Sequence, residues 1–210
     1  MLTVITPALS YRLTSEVRAR DQLQLSVEAV PGPYLLDLID AASSAIVNHC
    51  NRAFARETVA ETVRPCGSGP LILSRAPVIG DVAVLLDGNA VAADTMECNR
   101  SAGLLYRLEG WGRSPWYGRS AVVTYTAGWI LPEDSTFGTA LSADRLPADV
   151  EQACLTLVAA RIAGRGRDPM LRSESTEGVG SASYIATADM GAMPPQATAA
   201  LAPYLRIGFA

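Results

Sequence analysis

"VVTYTAGWILPEDSTFGTALSADRLPADVEQAC", residues 122–154, holds three unlike segments in a row. Val122–Thr126 is β-branched and aromatic and reads as a strand. It stops at Ala127-Gly128-Trp129. A helix begins at Pro147, a residue suited to a first helical turn, with Asp149 and Glu151 favouring the same end. Residues 130–146 between them are polar and read as a surface loop. The fold turns on why a strand ends on Gly-Trp and the next helix waits so long.

Upstream of this stretch the period is that of strands. "ETVAETVR" (57–64) alternates, "PLILS" (70–74) and "VIGDVAVLLDG" (78–88) are strand-like, and Asp87-Gly88 is a turn signal. "GLLYRLEG" (103–110) and "SAVVTYTAG" (120–128) complete an antiparallel unit of about five short strands, with the aromatic tract "WGRSPWYGR" between the last two as a loop.

Helical periods lie on either side. Residues 1–13 look extended. A short helix is expected over about 14–24, capped by Thr14 or Ser15 with Glu16 in its first turn. "VPGP" (30–33) is a break. A stronger helix follows over about 34–53, with Leu35, Leu38, Ile39, Ala42, Ile46 and Cys50 on one stripe and Asp37 and Asp40 near its N-terminus. The helix over about 147–163 buries a face of Val150, Cys154, Leu157, Val158, Arg161 and Ile162. The fold class is therefore α+β: a small helical bundle with an inserted antiparallel β unit at about 55–129, together spanning 1–171. Residues 172–210 form an extended C-terminal arm and tail, in which "SASYIAT" could add a strand to a partner.

Composition narrows the function. The chain has 210 residues, is 49% hydrophobic and carries a net charge of −4, which suits a globular domain and argues against a dedicated nucleic-acid binder. All seventeen basic residues are arginine, so neither a phosphate-loop lysine nor Schiff-base chemistry is available. The four cysteines lack C-x-x-C spacing, and Cys50 and Cys154 lie on apolar helical faces, as expected of a chain made in a reducing cytoplasm. No signal peptide, membrane span or membrane partner is expected.

Chemistry is scarce. His49, the one histidine, sits mid-helix beside Cys50, and adjacent helical residues point about 100° apart. Asp37/Asp40 and Glu133/Asp134 read as helix-end and loop charges rather than an acid/base pair. Gly110-Trp111-Gly112 precedes a strand, not the helix that a phosphate loop needs. No catalytic, cofactor-binding or metal residue is expected, and no cofactor. Trp111, Trp116 and Trp129 are candidates for interface anchors or for core. Arg161, Arg165, Arg167 and Arg172 form the one basic cluster, either a solvated helix end or a contact for an acidic surface or passing DNA phosphate.

The order of elements carries a resemblance. "LTSEVRARDQL", "LLDLIDAASSAIVNHCNRAF", "LILSRAPVIGDVAVLLDG", "VVTYTAGW", "LPADVEQACLTLVAARI", a Ser/Gly-rich arm and "LAPYLRIG" follow one another. This succession resembles the head–tail connector (adaptor, head-completion) proteins of tailed bacteriophages and gene transfer agents. The matching points include Tyr125 to Trp129, Pro147 with Val150 and Ala153, Arg161, and Leu201 to Arg206, where Leu205 is an insertion into the family's pattern. The stretch 130–146 is longer than the family's connection.

The resemblance implies a non-enzymatic virion protein at the head–tail interface. It implies a homo-oligomeric ring of about twelve copies joining the portal protein to the next neck or tail-completion protein and surrounding the DNA passage. It assigns portal contact to Tyr184 and Ile185 in the arm and to Pro203, Tyr204, Leu205 and Arg206 in the tail. The alternatives are a tail-completion or stopper protein of the same neck, or a soluble α+β enzyme or ligand-binding protein using acidic residues or Cys66.

Overall fold

The computed structural model describes residues 1–67, 69–165, 173–176, 180–183 and 193–206, the segments 173–176 and 180–183 by their backbone alone. The fold is α+β, with helices and antiparallel sheets divided between two units. One unit comprises residues 1–11 and 53–145, the other residues 12–52 and 146–210.

The first unit is all β. A five-stranded antiparallel sheet has the order β1-β2-β9-β4-β5. Its strands are β1 (Leu2–Thr6), β2 (Glu57–Val63), β4 (Val78–Leu86), β5 (Asn89–Ala90) and β9 (Ala121–Ala127). A second sheet places β7 (Leu104–Glu109) between β6 (Met96–Asn99) on one side and β3 (Leu71–Ile72) and β8 (Gly112–Ser114) on the other. Nine strands are present here among the described residues, where the sequence reading had about five. β5, β6 and β8 are two to four residues long, too short for an alternating pattern to register. β1 had been read only as extended.

Val59, Leu73, Val84, Leu105, Trp116 and Tyr125 form the buried core of this unit. The alternation of β2 is real, but its inward face reads Glu57-Val59-Glu61. Two buried carboxylates are tolerable only when paired and hydrogen-bonded. Glu57 takes an ion pair from Arg75 and the Tyr11 hydroxyl at 2.6 Å. Glu61 accepts from Tyr125 at 2.7 Å, from the Ser74 amide at 2.8 Å and from the Ser74 hydroxyl.

β9 ends where it does because of Gly128. Its φ is +104°, and a Cβ there would lie 2.3 Å from the Ala55 carbonyl oxygen. Only glycine allows that approach. Trp129 then bonds through its amide to the Phe54 carbonyl at 2.8 Å and stacks on the Phe54 ring at 5.6 Å. The following stretch is a closed Ω-loop rather than a loose one. Ile130 and Leu131 are buried, and the Ile130 amide bonds to the Asp144 carbonyl at 2.8 Å. The Arg145 guanidinium donates to the carbonyls of Gly138 and Ala140 at 2.8 and 2.9 Å.

The second unit is helical. α1 (Glu16–Leu23) is capped by Ser15. α2 (Gly32–Cys50) begins inside "VPGP", where Pro31 takes the N-cap and Pro33 the first turn, and ends at Asn51 in the left-handed conformation. The break expected at 30–33 is therefore a helix start. α3 (Ala148–Ala163) follows Pro147. Glu151, 5% exposed, lies in the first turn of α3 as expected and also accepts Arg18 Nε and Nη2 at 2.6 and 2.8 Å and the Thr14 hydroxyl at 3.0 Å, tying α1 to α3. A hairpin pairs β10 (Ser173–Thr176) with β11 (Gly180–Ser183), so the start of "SASYIAT" pairs within its own chain. α4 (Pro195–Leu201) buries Ala197 and Leu201 fully.

Candidate partner-binding surfaces

The tail leaves α4 as a single tight turn, Ala202–Tyr204. Tyr204 donates its hydroxyl to both carboxylate oxygens of Asp149 at 2.9 Å, at the N-terminal turn of α3. The Arg206 amide donates to the Cys50 carbonyl at 2.9 Å, satisfying one of the open acceptors at the end of α2. Burial, then the carboxylate acceptor, pushes the Tyr204 phenol up to about 12. Arg52 has its pKa lowered by burial and by the nearby Arg206 cation. Pro203 is exposed and Leu205 is 48% exposed.

Of the four tail residues assigned by resemblance, Pro203 and Leu205 thus face solvent, whereas Tyr204 and the Arg206 backbone hold the tail to α2 and α3. Tyr184 and Ile185 lie outside the described residues.

The basic cluster divides likewise. Arg161 donates Nη1 to the Leu38 carbonyl at 3.3 Å and is half-buried. Arg165 is exposed and lies over the Tyr34 ring at 4.7 Å. Arg167 and Arg172 lie outside the described residues.

The three tryptophans separate clearly. Trp116 is 2% exposed and donates its indole N–H to the Leu105 carbonyl at 3.1 Å. Trp129 is 9% exposed. Trp111 is fully exposed. Sequence alone did not distinguish them, since all three stand beside glycine or proline in strand connections.

Three of the four paired carboxylates, Asp40, Glu133 and Asp134, have partners. Asp40 takes a bidentate contact from Arg12, at 2.6 and 2.9 Å. Glu133 accepts from Ser10, and Asp134 from the amide and hydroxyl of Thr136 at 2.8 and 2.7 Å. Burial pushes the Cys154 thiol up to about 12 and raises that of Cys50, while Cys66 is exposed. No metal-binding cluster and no helix able to cross a membrane occurs among the described residues.

One feature escaped the sequence reading. Ser10, Arg56, Trp129 and Asp134 meet in a shallow cleft of about 30 Å³, against the several hundred that a small-molecule site takes. Nothing local in sequence joins residues so far apart; the Ala55–Trp129 bridge and the Ser10–Glu133 hydrogen bond bring them together.

No family model matches the chain, and no curated protein matches it. Solved structures do. A chain from the neck of an empty gene transfer agent (GTA) particle, computed with C6 symmetry, aligns with a TM-score of 0.59 at 20% identity, over 100% of this chain and 97% of that one. A chain from the neck of a native GTA particle, computed with C12 symmetry, gives 0.56 at 21% identity over the same shares. A chain from the virion of a native GTA particle gives 0.57 at 19%, again over 100% and 97%. At these identities the likeness establishes a shared fold along the whole chain.

Proposed function

We propose that the chain is a structural, non-enzymatic component of the neck of a tailed phage or gene transfer agent particle. It forms a homo-oligomeric ring, of about twelve copies, that joins the portal to the next neck protein and surrounds the DNA passage. The observation that carries this reading is the fold similarity to chains of GTA necks over 100% of this chain and 97% of each of those. The symmetry of those necks supports the ring. The exposed Pro203 and Leu205 beside Arg52 and Arg206 support a portal-facing tail, with Tyr184 and Ile185 of the arm assigned to the same contact. Arg161, Arg165, Arg167 and Arg172 are assigned to an acidic protein surface or to the DNA backbone.

Native mass spectrometry of the chain mixed with the portal protein encoded beside it tests the reading. The expected result is one portal ring carrying about one ring's worth of this chain, lost in Leu205→Asp. Absence of any complex across a salt series removes the portal role and favours a more distal neck protein.

A further inference from the structure

The tail is fixed to the helical unit at three points. Leu201, the last residue of α4, is fully buried. The Tyr204 hydroxyl reaches Asp149 in the first turn of α3, and the Arg206 amide reaches the Cys50 carbonyl at the end of α2. Between these points the chain makes one tight turn, which the Leu205 amide closes on the Ala202 carbonyl at 3.4 Å. Proline at 203 fixes its own φ within that turn. Pro203 and Leu205 are left exposed, while the Tyr204 side chain and the Arg206 backbone are turned towards α3 and α2.

An apolar residue on a loose chain end must be ordered when it binds, and that ordering lowers affinity. Here the ordering is done beforehand, within the free chain. Leu205 is 48% exposed in a turn that its two neighbours hold. Resemblance assigns Tyr204 to the portal contact itself, yet its hydroxyl is engaged within its own chain. The phenol, pushed up to about 12, stays protonated and donating at neutral pH. Asp149 is exposed, so water competes for its oxygens, and the contact is worth about fivefold in the ratio of docked to undocked tail.

We infer that Tyr204, with Asp149, is a positioning residue for the portal contact: it holds Pro203 and Leu205 in place before the portal arrives and acts without touching it. The inference rests on the portal reading above.

A double-mutant cycle with two readouts tests it, using Tyr204→Phe, Asp149→Ala and the pair. Phenylalanine keeps the ring and alanine suits a helical turn, so the fold is kept; unchanged exchange of the amides inside α4 verifies this. The first readout is hydrogen exchange of the Arg206 amide in the free chain, followed by NMR. Exchange about fivefold faster is expected in each single variant, with no further gain in the pair, because both variants break one contact. The second readout is portal affinity by titration. A loss of about fivefold is expected in each variant, again without addition in the pair. Unchanged Arg206 exchange in both single variants overturns the inference at its root. Faster exchange with unchanged portal affinity overturns the positioning role. A loss of affinity in Tyr204→Phe that Asp149→Ala does not share, or losses that add in the pair, make Tyr204 a direct contact and overturn it as well. Where the parent chain forms no portal complex, the portal reading falls and takes the positioning role with it, while Arg206 exchange still decides whether Tyr204 holds the tail.

Discussion

Gly128 is the residue on which the strand-to-loop transition depends. A methyl group there meets backbone rather than a movable side chain, at a φ that L-residues avoid. Gly128→Ala should cost at least about 2–3 kcal/mol, read as a lower urea midpoint with an unchanged slope. Tyr204 gives a second residue-scale expectation. Its folded-state value of about 12 lies above the ordinary 10 of an unfolded tyrosine. The docked tail therefore contributes stability that is intact below pH 10 and lost as the pH rises towards 12. Ultraviolet difference titration should show a late-ionising tyrosine that is missing in Tyr204→Phe. If every tyrosine ionises near pH 10, the Tyr204–Asp149 contact is not held in solution. Thiol labelling adds a third: near pH 8, Cys66 should react first, and Cys154 only on unfolding.

Between elements, the decisive contact is Glu151 of α3 with Arg18 and Thr14. Glu151→Gln removes the charge that the guanidinium faces. Removing one partner of a fully buried pair costs about 3–5 kcal/mol, but Arg18 is 40% exposed and water can take its charge, so about 2 kcal/mol is expected in chemical denaturation. Long-range pairings of this kind mark what sequence could and could not disclose. The periods of α2, α3, β2, β4, β7 and β9 are each carried by neighbouring residues and were readable. The inward Glu57 and Glu61 were not, because their partners Ser74 and Arg75 come from the β3–β4 connection and Tyr125 from β9. The Arg56 cleft and the sorting of Trp111 from Trp116 depend on the same kind of tertiary placement. "VPGP" misled because proline punctuates both helix starts and breaks; the chain beyond it decides which.

For the whole molecule, the packing of α4 changes how the tail should be tested. Ala197 and Leu201 are in the core, so deleting residues 194–210 removes bundle packing together with any partner contact. Leu201→Ala should destabilise the helical unit by about 2–4 kcal/mol, whereas Leu205→Asp should leave thermal unfolding unchanged and lower only portal binding. The division into two units has a further consequence, in the order of synthesis. The helical unit is interrupted by most of the β unit and finished last. α2 is complete at Cys50, but α3, whose Cys154 and Arg161 meet Ser43 and Leu38 of α2, starts only at Ala148. At about 5–20 residues per second a ribosome needs roughly 5–20 s to deliver it. Throughout that interval the stripe of Leu35, Ile39 and Ile46 on the nascent chain lacks its native neighbour, while the β unit, complete at Arg145, is free to close ahead of it. Chaperone supply during translation of residues 53–147 is thus the expected determinant of soluble yield.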